Sequence, residues 1–93
     1  MRYYELWLGT RKVKQSTGEY REFRVEVGVP PESEIPEGYE LLQNVRSEGG
    51  KNVYSSKWYQ NISAARDELI KTSKFYESKG FKVMVFFEIR GEL

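Results

Sequence analysis

Neither cysteine nor histidine occurs in this 93-residue chain, and the two absences exclude a large share of protein chemistry. Without Cys there is no disulfide, no thiolate nucleophile, and no thiolate-bound zinc or iron–sulfur cluster. Without His the usual general base near neutral pH and the commonest transition-metal ligand are missing, along with every Ser-His or Cys-His nucleophile pair. No stretch approaches the run of about 20 apolar residues that spans a bilayer. Met1-Arg2-Tyr3-Tyr4-Glu5 lacks the apolar segment of a signal peptide, so the expected location is cytoplasmic. Proline is scarce, with three residues at positions 30, 31 and 36.

What is present is aromatic and charged. Aromatic residues make up 15% of the chain against a modest 39% hydrophobic total, so large rings supply much of the apolar area available to a core. A chain of this length buries roughly 60–65% of its unfolded surface, enough for one core and not two. Residues 1–93 are therefore expected to form a single small α+β domain. The net charge of +1 is unevenly spread. Met1–Gly28 carries six Lys/Arg and four Asp/Glu, Val29–Gly50 one and five, and Lys51–Leu93 eight and five. An acidic middle thus lies between two mildly basic flanks, and 31% charged residues without Cys or His would suit a thermophilic or viral source.

The order of elements follows from periodicity. Arg2–Leu8 is rich in rings and branched residues, with Tyr4, Leu6 and Leu8 on one face and Tyr3, Glu5 and Trp7 on the other. This strand is expected to run through Lys14 to a turn at Gln15-Ser16-Thr17-Gly18 and return over 19–29, where Arg21, Phe23, Val25, Val27 and Val29 alternate with polar residues. Pro30, Pro31 and Pro36 end sheet pairing. A second hairpin is expected over 39–59 around a turn at Ser47–Asn52, at a sheet edge or partly free. Asn61 or Ser63 caps a helix whose apolar side is Ile62, Ala65, Leu69, Thr72, Phe75 and Tyr76, and Gly80 ends it. Phe81–Arg90 is apolar on both faces and is expected in the middle of the sheet. The predicted fold is α+β, an antiparallel sheet of two hairpins plus a C-terminal strand with one amphipathic helix on one face, in the order β-β-β-β-α-β.

One helix covers one face of a sheet, yet apolar residues point to both. Tyr3, Trp7, Met84 and Phe86 face away from the set Leu6, Phe23, Val25, Val85 and Phe87, so either the second hairpin folds over them or they form an exposed patch for a partner or a symmetric dimer. The first hairpin offers a second surface. Arg11, Lys12, Lys14 and Arg21 with Tyr20, and Lys57 with Trp58 from the second hairpin, could hold phosphates and stack bases, although Glu19, Glu22 and Glu26 lie among those cations.

Other signals lead to plain readings. Gly49-Gly50-Lys51 lacks the spacing of a phosphate loop and reads as a hairpin turn. Glu32, Glu34, Glu37 and Glu40 lack the spacing of a calcium loop. No metal, cofactor or catalytic group is expected, and the chain is not expected to be an enzyme. The first functional reading is a non-catalytic protein-interaction or oligomerisation module acting through Tyr3, Trp7, Met84 and Phe86, with a protein partner or a second copy of itself. The second is a nucleic-acid-binding domain using the basic hairpin. Neither involves a membrane.

Overall fold

Alternation of apolar and polar residues over the first part of the chain builds a long hairpin, as the sequence predicts. The computed structural model describes residues 3–43 and 50–91. In it β1 (Tyr4–Gln15) and β2 (Gly18–Val29) pair antiparallel from Glu5 opposite Gly28 to Gln15 opposite Gly18. A two-residue turn joins them, and Gly18 takes φ +137°, a conformation L side chains rarely adopt. The other elements are β3 (Glu40–Gln43), β4 (Asn52–Ser55), α1 (Ile62–Glu77) and β5 (Val83–Gly91). They form one five-stranded sheet in the order β3-β4-β2-β1-β5. Half of the predicted turn of the second hairpin, residues 47–49 of Ser47 to Asn52, lies outside the described residues.

The helix packs on one face of this sheet. Asn61 caps it, its Oδ1 accepting the Ser63 N–H at 2.7 Å, and Gly80 at φ +86° turns the chain away after Ser78. The core lies between α1 and the two long strands: Tyr4, Leu6 and Leu8 from β1, Val25, Val27 and Val29 from β2, and Ala65 and Tyr76 from α1. Leu6 and the three valines are wholly buried, each stabilising the fold by about 1.5–3 kcal/mol relative to exposure. The proline-rich segment closes one end. Tyr76 donates its hydroxyl proton to the Glu34 carbonyl at 2.9 Å, and Tyr39 donates to Glu68 Oε2 at 3.0 Å.

The second hairpin lies at a sheet edge, as expected, extending the sheet beside β2, and of the two alternatives for the second face it does not fold over it. One expectation about the sheet needs correction. Strand β5 lies at the opposite edge, parallel to β1, and not in the middle. The helix explains this placement. It carries the chain from β4 across the sheet, the kind of crossover that parallel strands require, and the free edge beyond is that of β1. Strand β5 is apolar on both faces for local reasons. Val83, Val85 and Ile89 pack on the core, while Phe86 lies under Arg90.

Candidate interaction surfaces

Strand β5 does not follow β1 in step. Leu6 pairs with Val85 and Leu8 with Ile89, so two steps along β1 correspond to four along β5. The surplus residues leave the ladder, and Phe87 is 94% exposed. This overturns its assignment to the core face. Ile70, off the apolar stripe of α1, is also exposed. Between α1 and β5 runs an apolar groove of about 420 Å³ whose walls include Leu8, Leu69, Ile70, Val85 and Ile89, with Phe87 at its border. Arg66 and Lys74 of α1 line the same groove with Glu77. Glu88, next to Phe87, pairs with Arg90 at 3.3 Å and keeps 69% of its side chain exposed.

The face of the sheet away from α1 carries a different surface. Trp7, Glu26, Arg24 and Arg11 occupy successive cross-strand rows of β1 and β2. Glu26 bridges them: its Oε1 accepts the Trp7 Nε1–H at 3.0 Å and its Oε2 accepts the Arg24 Nε–H at 3.1 Å. One glycine makes the room, and a second lies in ordinary contact with the cluster. A Cβ on Gly9 would collide with the Glu26 carboxylate, and the Trp7 ring lies 3.5 Å from where a Cβ on Gly28 would sit. Trp58 reaches this face because β4 leaves β2 irregularly. Ser56 accepts the Val25 N–H through its hydroxyl at 2.9 Å, and pairing resumes between Phe23 and Tyr59.

Arginines cover the two indoles. The guanidinium carbons of Arg11 and Arg24 lie 4.2 and 4.1 Å from the Trp58 ring centroid. Arg90 lies 4.7 Å from Trp7 and 4.8 Å from Phe86. All three arginines and both tryptophans line one shallow bowl of about 640 Å³. Trp7 is consequently only 7% exposed, which removes it from the expected open apolar patch.

The four residues of that predicted patch therefore separate. Trp7 and Phe86 are drawn together under Arg90. Met84, which pairs with Glu5 near the start of β5, is 39% exposed, and Tyr3, just ahead of β1, is 38% exposed. The predicted phosphate-binding residues separate as well. In the β1–β2 register, Arg11 and Tyr20 share the face of Trp7, whereas Lys12, Lys14 and Arg21 share the face of Leu8 and Phe23. Lys57 is exposed beside the Tyr59 ring, at 5.2 Å. The residues missed from sequence are Arg90 and Phe87. The only sequence signal for the last was the Phe86-Phe87 doublet, which breaks alternation.

The titratable groups shifted most visibly are tyrosines. Burial pushes the Tyr39, Tyr59 and Tyr76 hydroxyls above their ordinary value of 10.0, which holds them protonated and unsuited to act as bases. Among the described residues no three Asp or Glu side chains are grouped to hold a metal ion, and no helix is long and apolar enough to cross a membrane. Comparison with protein-family models, with curated proteins and with solved structures finds no match to this chain.

Proposed function

We propose that this chain is a non-catalytic interaction module that self-associates through the β5 edge. The observation that carries the reading is Phe87, 94% exposed on a terminal strand of the sheet and bordering an apolar groove. An exposed ring of this kind is an aggregation hazard unless a partner covers it.

A second copy of the chain suits the surface because knob and groove lie on the same edge. Under a two-fold axis Phe87 of each copy enters the groove of the other, and each contact is made twice. Pairing of the two β5 strands would at the same time satisfy the backbone groups that a terminal strand leaves open.

Sedimentation equilibrium tests the proposal. The wild-type chain, 11.0 kDa as a monomer, is expected to reach twice that mass as concentration rises, and Phe87→Ser is expected to remain monomeric with an unchanged circular dichroism spectrum. A wild-type protein that stays monomeric at about 1 mM, weaker than any specific dimer of use, would overturn it.

A further inference from the structure

We infer that the bowl on the helix-free face binds phosphate groups, those of a single-stranded nucleic acid in extended form. The bowl lies on the face of the sheet away from the α1 groove, and Arg90 is its one arginine on β5.

Three guanidiniums converge on the bowl, those of Arg11, Arg24 and Arg90, and the carboxylate there is Glu26. Glu26 already accepts from Trp7 Nε1 and Arg24 Nε, and Glu22 from Arg11. Glu88 pairs with Arg90 in the same way. Each guanidinium is therefore positioned by one carboxylate, and its five N–H donors exceed what that partner takes up. Stacking fixes the guanidinium planes on indole rings before any ligand arrives. A pre-oriented fork is suited to bidentate contact with phosphate and loses less freedom on binding than a free side chain.

The rows of the hairpin favour a strand over an isolated ion. From the sheet toward the hairpin tip, the successive pairs on this face are Trp7 with Glu26, Gly9 with Arg24, Arg11 with Glu22, and Val13 with Tyr20. Cations in the middle are thus followed along one strip by the half-exposed ring of Tyr20. A polynucleotide leaving the bowl toward the tip meets a flat aromatic ring on which a base can stack, which is how sequence-tolerant single-strand sites are built. A run of Asp or Glu residues has no aromatic ring to stack there.

Fluorescence anisotropy with a labelled oligothymidylate probes the site. With three phosphate contacts, affinity is expected to fall about 20-fold between about 50 and 200 mM salt. Arg90→Gln, at the edge of the sheet, and Arg11→Gln should each weaken binding and lower the log–log salt slope by about 0.7, while Lys14→Gln on the other face of the hairpin leaves that slope nearly intact. Tyr20→Ala should weaken the oligonucleotide and leave competition by inorganic phosphate unchanged. Absence of binding at the lower salt, binding that survives both arginine changes, or equal competition by polyglutamate would each overturn the inference, the last in favour of an acidic protein partner.

Discussion

The carboxylate of Glu26 occupies the space that the missing side chain of Gly9 leaves on the adjacent strand. From there it accepts the Trp7 indole N–H at 3.0 Å and the Arg24 Nε–H at 3.1 Å. A charged side chain thereby becomes the centre of a packed polar cluster on the face of the sheet that no helix covers.

That relationship predicts coupling between Gly9 and Glu26. Glu26→Ala strands the indole N–H and a guanidinium and should cost about 1–3 kcal/mol. Gly9→Ala should destabilise through the collision with the carboxylate, and the same change in the Glu26→Ala background should cost distinctly less. Urea unfolding of the four proteins closes the cycle. Additive losses would mean that the two residues do not share this space.

Ser56 stands in for a backbone group in the ladder of β2. It is buried, and its hydroxyl accepts the Val25 N–H and donates to the Lys57 carbonyl, both at 2.9 Å. Ser56→Ala leaves a buried amide without an acceptor, with an expected loss of about 1–3 kcal/mol. Hydrogen exchange at Val25 should accelerate by more than at Val27, and equal rates in the two proteins would contradict the role given to the hydroxyl.

Much of this fold was legible in the sequence, and the parts that were not share a cause. Alternation in 4–8 and 21–29 identified Tyr4, Leu6, Leu8, Val25, Val27 and Val29 as one face because side-chain direction along a strand follows from local geometry. The helix stripe of Ala65, Thr72 and Tyr76 was read in the same way. Strand order was not legible. An apolar strand is equally at home in the centre of a sheet or at an edge covered on one side and lined with aromatics on the other, and Phe87 left the core face through a register shift that pairing alone reveals. The helix-free face was seen as aromatic, but its arginines come from three separate strands or segments, and only the register unites them. Spacing in the chain separates Trp58 from Arg11 and Arg24; the irregular exit at Ser56 brings them together.

Alkaline pH should unfold the protein through its buried tyrosines. Burial is the main cause raising the hydroxyls of both Tyr39 and Tyr76; Glu68 adds to it for Tyr39, and Tyr4 and Glu34 for Tyr76. The unfolded chain releases these protons from about pH 10 upward while the folded chain retains them, so stability is unaffected below that pH and falls above it, by about 1.4 kcal/mol per pH unit for each tyrosine. Urea midpoints measured between about pH 8 and pH 11 give the slope, and Tyr39→Phe should reduce it by one tyrosine's share. A midpoint that rises or stays level above pH 10 would contradict the burial of these hydroxyls.

The central claim is that the β5 edge is a contact surface between copies of the chain. Hydrogen–deuterium exchange of the β5 amides, compared at about 10 μM and about 1 mM protein, reads that edge directly because an open strand edge exchanges freely and a paired one is protected. Protection of β5 and of the Ile70 region of α1 is expected to grow with concentration, while β3, the other terminal strand, exchanges alike at both. Protection of β5 that is the same at the two concentrations, or that grows at β3 instead, would contradict it.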